Sequence, residues 1–341
     1  MQKFIENHLY KRSILSYLLF PISIKYSILQ KCRRRFYQVF SSLIYKSKIK
    51  VISIGNIVSG GSGKTPFTIF LTRYLQEKGF RVAVSHRGYK GKFEKKNILI
   101  SDRNNIFDSA RDAGDEAYLL ASKLKGIPVI VGKNRKESIK ILKEKYPDLD
   151  YIILDDSFQH LKVFHYLDFV VFNEIGGIGN GFVLPAGILR ESISALKFAD
   201  YIVFNGEGEV PEKLLKSEKP VLKGNYKIKR FYNINENEIS LKTLKENKIA
   251  LLSGIGMPKS FEGTIQKSGL KFEKHFRFPD HYDFKDKTIL KNIENELGKD
   301  KIDFLLTTEK DFAKLQFVEH SLPLVVVEVE LQMENIEDLK F

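Results

Sequence analysis

The chain has 341 residues, 43% of them hydrophobic, which allows one large or two ordinary domains and excludes a disordered tail or a mini-protein. A single cysteine, Cys32, excludes intramolecular disulfides and cysteine-based zinc clusters and indicates a reducing compartment, the cytoplasm. The net charge of +14 is concentrated in residues 1–50, which contain eleven Lys and Arg and one acid. The remainder of the chain contains 45 Lys and Arg and 41 acids. A nucleic-acid binder would spread its charge over a folded face, so no nucleic-acid partner is predicted.

Residues 1–49 are predicted to form a basic, amphipathic helical arm that associates with a membrane. Its uncharged stretch, Ser13–Ile24, is shorter than the roughly 20 residues that a spanning helix needs. Lys25 and Lys31 follow without a small-residue cleavage site, which disfavours a signal peptide. The mixture of basic, aromatic and aliphatic residues favours an arm lying among the headgroups of an anionic leaflet. The alternative is a helical pair that packs on the main domain and exposes a solvated basic face.

From Lys50 onward, short apolar runs alternate with helical patterns, which is typical of an α/β fold with a parallel sheet covered by helices. Several runs lack polar alternation, as expected of strands that are buried on both faces. The predicted strands are Val51–Gly55, Arg81–Ser85, Ile98–Ser101, Pro128–Val131, Tyr151–Leu154, Phe169–Phe172 and Tyr201–Phe204, and the predicted helices are Lys64–Lys78, Asp115–Lys125 and Arg135–Lys145.

Residues 206–245 differ in composition from the segments on either side. Gly206–Pro220 is rich in Gly, Glu and Lys, and Gly224–Glu238 is polar and turn-like. We therefore predict a linker between a first domain over 50–205 and a second, smaller α/β domain over 246–341. The elements predicted in the second domain are Ile249–Ser253, Lys259–Ser268, Lys271–Phe276, Asp286–Leu297, Asp303–Leu306 and Leu324–Val329.

The segment Gly55–Pro66, with the sequence GNIVSGGSGKTP, has the composition of a phosphate-binding loop and lies between a predicted strand and a predicted helix. Its glycines allow backbone N–H groups to face phosphate oxygens, and the helix points its positive end there. Lys64 is expected to reach the β- and γ-phosphates of ATP, and the Thr65 hydroxyl is expected to coordinate Mg²⁺. Val58 replaces the first glycine of the general pattern, and Gly60 and Gly61 are expected to provide the flexibility instead. The expected nucleotide-binding residues are Val58, Ser59, Gly60, Gly61, Ser62, Gly63, Lys64 and Thr65.

Two consecutive carboxylates, Asp155 and Asp156, end the predicted strand Tyr151–Leu154. Carboxylates at the C-terminal end of a parallel strand are placed to hold a metal ion beside a phosphate loop. A lone Asp here equally fits a turn cap, but the pair favours a Mg²⁺ site that includes Thr65. These residues predict a P-loop NTPase-type fold and a phosphotransferase that uses Mg²⁺-ATP. Nucleotide-dependent metal-insertion proteins and carboxylate-activating synthetases share them and remain alternatives, although neither needs a basic, apolar arm.

A series of short motifs runs in order along about residues 51–329. They are GN followed by GGSGKTP from Gly55, RGY from Arg87, GDE from Gly114, DDSFQH from Asp155, GNG from Gly179, LPAG from Leu184, LRE from Leu189, GIG from Gly254, FPDH from Phe278 and TEKD from Thr308. In this order the motifs resemble those of the tetraacyldisaccharide 4′-kinases of lipid A biosynthesis, a family that itself lacks the first glycine of the general phosphate loop. Two residues depart from the family pattern: Ser157 stands where Gly is usual, and His86 stands where Ser is usual.

The resemblance implies transfer of the ATP γ-phosphate to the 4′-hydroxyl of an acylated glucosamine disaccharide 1-phosphate, on the cytoplasmic face of the inner membrane. The arm would attach the enzyme there as a peripheral or monotopic protein, and no obligate protein partner is predicted.

A sugar hydroxyl is a poor nucleophile, so a base should orient it and accept its proton. The family-like base is Asp115, paired with His281 across a cleft between the two predicted domains, and Lys64 and Asp156 complete the expected catalytic set. Arg190 and Glu191 have the alternative of capping a following helix. For Thr308–Asp311 only the pattern of a helix N-cap is evident. The expected substrate contacts are Arg87, Glu116, Gln159, His160, Asn180, Arg190 and Glu191.

Overall fold

A computed structural model of the chain describes residues 8–89, 91–107, 112–280, 282–334, 336, 339 and 341. The chain forms two compact units, one drawn from Met1–Asn225 and Met333–Phe341 and the other from Tyr226–Gln332. Both units are α/β, and the first contains the predicted N-terminal helix, so the predicted fold class is confirmed.

The first unit is built on a mainly parallel sheet. Its strands are β1 (Lys50–Gly55), β2 (Val82–His86), β3 (Ile98–Ser101), β4 (Val129–Val131), β5 (Tyr151–Asp155), β6 (Leu167–Asn173), β7 (Tyr201–Asn205) and the start of β8 (Val221–Asn233). They lie in the order β8-β7-β6-β1-β5-β2-β4-β3. In register, Ile54 of β1 lies between Asp155 of β5 and Phe169 of β6, so the carboxyl ends of the central strands meet at one edge. Among the described strand pairs of this unit, β3 and β4 are antiparallel, which departs from the predicted parallel sheet.

Helices cover this sheet with apolar side chains at helical spacing. In the helix Lys64–Glu77, Phe67, Leu71 and Leu75 recur every four residues and are fully buried, and each such side chain contributes about 1.5–3 kcal/mol on leaving water. The α-helices of the unit are α1 (Ile14–Val39), α2 (Lys64–Glu77), α3 (Asp115–Lys123), α4 (Arg135–Lys145) and α5 (Glu212–Leu215), and short 3₁₀ helices span Ser41–Leu43 and Ile193–Phe198.

The N-terminal helix α1 turns its small polar residues inward and its large apolar residues outward. A capping box between Ser13 and Ser16 starts the helix. Ser16 and Ser23 are buried, and Ser23 Oγ accepts a hydrogen bond from Ala186 N at 3.0 Å. In the part of the chain that the structure describes, no helix is long and apolar enough to cross a membrane. Ser16 and Ser23 pack this helix against its own unit.

The second unit contains a smaller sheet in the order β11-β10-β12-β13-β8, and β9 pairs antiparallel with the end of β8. The central strand β10 is buried along its whole length and pairs in parallel with β11 and β12. The strands are β9 (Glu238–Ile239), β10 (Ile249–Ser253), β11 (His275–Arg277), β12 (Phe304–Thr308) and β13 (Leu324–Met333), and the helices are α6 (Leu241–Lys245), α7 (Pro258–Lys267), α8 (Lys287–Asp300) and α9 (Glu309–Leu315).

The predicted linker over 206–245 contains α5, β8, β9 and α6, and the chain passes from one compact unit to the other inside β8. The interpretation of Gly224–Glu238 as turn-like is wrong as far as Asn233. Along β8 the residues alternate between more and less exposed positions, so polar side chains on one face concealed the strand. The strand predicted over Lys271–Phe276 begins only at His275, beyond the turn at Gly269, whose φ is 79°.

Candidate active site

The phosphate loop connects β1 to α2 and is held by backbone contacts to a neighbouring segment. Ser59 N donates a hydrogen bond to Ile188 O at 2.7 Å. Val58, which replaces the usual first glycine, forms a β-bridge with Leu189 and is buried in the core of the unit. The valine therefore fixes the entrance of the loop instead of disturbing it.

Side-chain amides fix the rest of the loop. Asn56 Nδ2 donates to Ser62 Oγ at 2.8 Å in a buried contact, and Asn173 Nδ2 donates to Gly61 O at 2.5 Å. Gly63 precedes α2 with a φ of 87°, a left-handed conformation that favours glycine. The loop is thus held in place directly before the N-terminus of α2, where backbone N–H groups attract anions.

The two consecutive carboxylates at the end of β5 face Lys64 and Thr65 of the loop. Thr65 Oγ1 donates to Asp155 Oδ2 at 3.2 Å, and Lys64 Nζ lies 3.6 Å from Asp156 Oδ1. Arg190 Nη1 lies 3.3 Å from the same Asp156 oxygen. Asp156 has a φ of 53°, so the chain turns sharply after the strand and presents this carboxylate to both cations. The structure therefore brings together five residues that the sequence assigned to the site.

The protein environment acts differently on the two carboxyl groups. Burial raises the pKa of Asp155 above its ordinary value, and the nearby His86 offsets this only in part. Burial also works to raise the pKa of Asp156, but the positive charges of Lys64 and Arg190 hold it below its ordinary value. Asp156 is thus kept ionised by its cations, whereas Asp155 lies in a pocket that favours an added positive charge.

The residues around Asp155 fit a magnesium ion. Asp155 Oδ1 is buried and, among the described residues, has no hydrogen-bond partner, although Oδ2 contacts the Thr65 hydroxyl. An unpaired buried carboxylate oxygen is costly unless a cation or a donor satisfies it. The described residues contain no cluster of three or more His, Cys, Asp or Glu side chains suited to a metal. Magnesium needs no such cluster, because it is held by one or two carboxylates, phosphates and water.

A buried arginine behind the carboxylates was not predicted from the sequence. Arg135, the first residue of α4, donates from Nη1 to Ser85 Oγ at 3.0 Å and from Nη2 to the Asp155 carbonyl. Burial lowers its pKa to about 10, so the guanidinium stays charged at neutral pH. Its position just after strand β4, at the same sheet edge as the phosphate loop, is the signal that could have identified it.

His86, one of the two departures from the family pattern, ends β2 beside the same carboxylate. Its Nδ1 accepts a hydrogen bond from Gly88 N at 2.9 Å, so the ring proton of the neutral form is on Nε2. Nε2 faces Glu116 Oε2 at 3.5 Å and Asp155 Oδ2 at 3.8 Å. The imidazole therefore lies between Glu116 of the GDE motif and Asp155 at the end of β5.

Asp115, the predicted base, is the first residue of α3 and directly precedes Glu116. The contact of Glu116 with His86 places this helix start at the same sheet edge as Asp155. His281, the predicted partner of Asp115, lies outside the described residues, so their pairing stays a prediction.

Two arginines of α1 bind the loops that carry the site. Arg33 Nη2 donates to Gln159 O at 2.8 Å. Arg34 contacts both carboxylate oxygens of Glu191, from Nε at 2.5 Å and from Nη2 at 2.9 Å, and its guanidinium lies 4.5 Å from the centre of the Phe158 ring. Because Glu191 is 4% exposed, this ion pair is an internal link between α1 and the LRE motif.

We expect Arg34→Ala to lower the free energy of unfolding of this unit by about 3 kcal/mol, because it leaves the buried Glu191 carboxylate without its partner. Urea unfolding measures the effect, and Arg35→Ala, at an exposed position of the same helix, is the matched control. The double variant Arg34→Ala/Glu191→Ala should recover part of the loss. A double variant with the full sum of both single losses would contradict the proposed coupling.

Comparison with known proteins shows which family the chain belongs to. The sequence model of the family described as tetraacyldisaccharide-1-P 4′-kinase matches residues 15–340. The chain belongs to this kinase family. It is 35% identical to a tetraacyldisaccharide 4′-kinase from Actinobacillus succinogenes, with 96% of this chain and 95% of that protein covered. It is 34% identical to one from Desulfotalea psychrophila, with 92% of each covered.

A solved structure shows the same fold. The crystal structure of an "apo" form of LpxK from Aquifex aeolicus in complex with ATP matches with a TM-score of 0.76 and 31% sequence identity. The match covers 95% of this chain and 96% of that one. The fold is therefore that of a tetraacyldisaccharide 4′-kinase along nearly the whole chain.

Three of the residues predicted to contact the substrate form hydrogen bonds or ion pairs with other residues of this 4′-kinase fold instead. Gln159 Nε2 donates to Asn56 O at 2.7 Å and so supports the base of the phosphate loop. Asn180 is buried, and its Nδ2 donates to Ala186 O at 2.7 Å. Glu191 is paired with Arg34. In the structure these three residues hold the loops around the site.

The other residues predicted to contact the substrate are only partly buried. Arg87 has a side chain that is 40% exposed, and its Nε donates to Glu94 Oε1 at 2.9 Å. Arg190 lies beside Asp156, and Glu116 lies beside His86. Burial and the charge of Arg135 lower the pKa of His160 to about 3, so its ring is neutral and offers one donor and one acceptor.

Proposed function

We propose that this kinase transfers the γ-phosphate of ATP to the 4′-hydroxyl of tetraacyldisaccharide 1-phosphate and so forms the 1,4′-bisphosphate, lipid IVA. One observation carries the proposal: Lys64, Thr65, Asp155, Asp156 and Arg190 converge on one loop in a chain of this family. ATP as the donor is supported by the phosphate loop and by the ATP complex of the Aquifex relative.

The phosphate loop binds and orients the ATP phosphates. Backbone N–H groups before α2 hold the phosphate oxygens, and Lys64 and Arg190 supply positive charge where the transferred phosphoryl group passes. Thr65 and Asp155, with Asp156 beside them, would hold Mg²⁺, which when bound neutralises charge on the β- and γ-phosphates. Arg135 adds a fixed positive charge behind the carboxylates.

The sugar hydroxyl attacks the γ-phosphorus in line with the departing ADP. A bond forms between the 4′-oxygen and phosphorus while the bond from phosphorus to the bridging oxygen of ADP breaks. Asp115 accepts the hydroxyl proton, and His281 shares or orients that proton. Arg87, Glu116 and His160 contact the phosphorylated sugar, since charged and amphoteric groups of this kind bind phosphate and hydroxyls.

A label-transfer assay tests the proposal. With γ-labelled ATP, Mg²⁺ and the disaccharide 1-phosphate, label should appear in the glycolipid, and it should disappear when Mg²⁺ is chelated. A panel of alternative acceptors, including carboxylates and metal-binding proteins, separates this kinase from other P-loop enzymes. Label in any of these acceptors and none in the glycolipid would contradict the proposed substrate.

We propose further that α1 docks the kinase peripherally on an anionic membrane, at the cytoplasmic face of the inner membrane. Ile14, Leu18 and Leu29 are 82%, 70% and 64% exposed, although each is a large apolar residue. They lie within one face of the helix, opposite the buried Ser16 and Ser23. An apolar face of this kind, with basic residues nearby, is typical of helices that lie in the headgroup region.

We expect Leu18→Ser/Leu29→Ser to weaken binding to anionic phospholipid vesicles by up to about 10³-fold, because each side chain loses about 2 kcal/mol of burial in lipid. The apparent KM for the lipid acceptor should rise, and the KM for ATP should not change. Leu215→Ser, at a 54% exposed position of α5, is the matched control. Cosedimentation of the double variant at the wild-type level would show that α1 is not the docking surface.

A further inference from the structure

The LPAG–LRE segment, residues 182–191, is closed on itself by backbone hydrogen bonds. Leu184 N donates to Leu189 O at 2.8 Å, and Leu189 N donates to Phe182 O at 3.1 Å. A Cβ on Gly187 would lie only 2.3 Å from Phe182 O, so glycine is required inside the turn. The segment is therefore one closed loop, and a force on one of its residues is passed to the others.

This segment is bonded to the entrance of the phosphate loop. Ser59 N donates to Ile188 O at 2.7 Å. Two residues further along, Arg190 N donates to Ile57 O at 2.7 Å. The Arg190 guanidinium then reaches Asp156, with 3.3 Å between Nη1 and Oδ1. The backbone of Arg190 is thus fixed directly beside the loop that its side chain is proposed to serve.

Helix α1 holds the same segment at two further points. Ser23 Oγ accepts a hydrogen bond from Ala186 N at 3.0 Å and donates to Leu19 O at 3.4 Å. Arg34 binds both carboxylate oxygens of Glu191. Ser23 and Arg34 are eleven residues apart, about three helical turns, so they project from the same face of α1. The segment is therefore bonded both to α1 and to the phosphate loop.

The contacts made by α1 are internal. The side chains of Arg34 and Glu191 are 10% and 5% exposed, and Ser23 and Ala186 are both buried. Exposed ion pairs contribute little, whereas enclosed, bidentate pairs of this kind fix a geometry. Between the two polar contacts, Tyr26 of α1 packs against the core cluster that contains the entrance of the phosphate loop. The position of α1 therefore sets the position of the segment.

We propose that Ser23 and Arg34 are positioning residues for phosphoryl transfer, which they serve by holding Arg190 in place through the LPAG–LRE segment. The inference rests on the role proposed above for Arg190 at the transferred phosphoryl group. Because Arg190 directly precedes Glu191, a shift of Glu191 moves the backbone from which the Arg190 side chain extends. The helix that is proposed to dock on the membrane has this second task within its own unit.

The test uses the full-length kinase with Arg34→Ala and Ser23→Ala. The kcat should fall by about tenfold or more in Arg34→Ala and by about threefold or more in Ser23→Ala, because displacements of about 1 Å near reacting groups cost up to about 10²-fold. The Kd for ATP should stay at the wild-type value, because the phosphate loop keeps its contacts to Asn56 and Asn173. Arg34→Lys, which keeps a cation beside Glu191, should restore most of kcat.

Two controls separate positioning from stability. Gln38→Ala changes an exposed, uncharged residue of the same helix and should leave kcat unchanged. Leu142→Ala opens a cavity in a separate core cluster and should lower the urea unfolding midpoint about as much as Arg34→Ala does, again with kcat unchanged. A comparable loss of kcat in Leu142→Ala would overturn the inference. Ser23→Ala is an independent variant, since it leaves the contacts of Arg34 with two aromatic rings and a backbone carbonyl in place.

Combination with Arg190→Ala decides whether the two residues act through that arginine. If the inference holds, Arg34→Ala should cost less than about twofold in the Arg190→Ala background. Multiplied losses, or a wild-type kcat in both Arg34→Ala and Ser23→Ala, would each overturn the inference and leave the kinase reaction intact. A wild-type kcat in Arg190→Ala would overturn the role proposed for that arginine and the inference with it. The kcat is measured with whichever acceptor takes label from the wild-type kinase, so a wrong acceptor would contradict the proposed substrate alone.

Discussion

Replacement of Lys64 by Ala is expected to lower kcat by about 10³-fold while the chain stays folded. Lys64 is the first residue of α2, and its ammonium group lies 3.6 Å from Asp156. This is the position where the loop is proposed to bind the ATP phosphates. Loss of one group that stabilises transition-state charge costs about 10²–10³-fold. Single-turnover kinetics at saturating ATP measure the effect without interference from product release.

The control for Lys64→Ala is Lys78→Ala, at the opposite end of the same helix. Both variants should unfold at the wild-type urea concentration, because neither removes a side chain from the core. Near-wild-type turnover in Lys64→Ala would rule out the phosphate-loop assignment. A normal kcat with a raised KM for ATP would limit Lys64 to binding.

Asp115→Asn and His281→Ala should each lower kcat by about 10³-fold, within the range of general acid–base catalysis, and leave the affinity for ATP nearly unchanged. Asp115 starts α3 next to Glu116, which contacts His86 and through it Asp155 at the end of β5. Asp112→Asn is the matched control, because Asp112 lies three residues earlier and pairs with Lys92 at the surface.

The double variant Asp115→Asn/His281→Ala decides whether the two residues act together. If they handle one proton as a unit, the double variant should be scarcely slower than the slower single variant. Fully multiplied losses would show independent roles. A large drop in ATP affinity in Asp115→Asn alone would assign that residue to the metal site.

The sequence predicted the phosphate loop because its signal is local. Glycines, Lys64 and Thr65 stand between an apolar strand and an amphipathic helix, and both elements form where their periodicity predicts them. Asp155 and Asp156 were also found locally, at the end of a strand whose residues are all buried. Buried parallel strands leave a continuous apolar pattern, which is why the first sheet was predicted well.

The contacts that sequence reasoning missed join residues that are far apart in the chain. Arg34 and Glu191 are 157 residues apart, and nothing near either one indicates the ion pair. The position of Arg135 after β4 could have pointed to the site, but its contact with the Asp155 carbonyl follows only from its burial. The strand β8 was not predicted because its exposed face is polar. These contacts depend on the packing, which the local pattern does not report.

The contacts of Arg33 and Arg34 tie the proposed membrane-docking helix to the unit that carries the phosphate loop. The helix that exposes Leu18 and Leu29 also binds the Gln159 carbonyl and the Glu191 carboxylate from its last turns. A truncation of residues 1–45 therefore removes the proposed docking surface and also leaves a buried acid without its cation. For the same reason, an unrelated anchor in place of α1 would lack the two arginines that hold the site loops, even if it restored attachment.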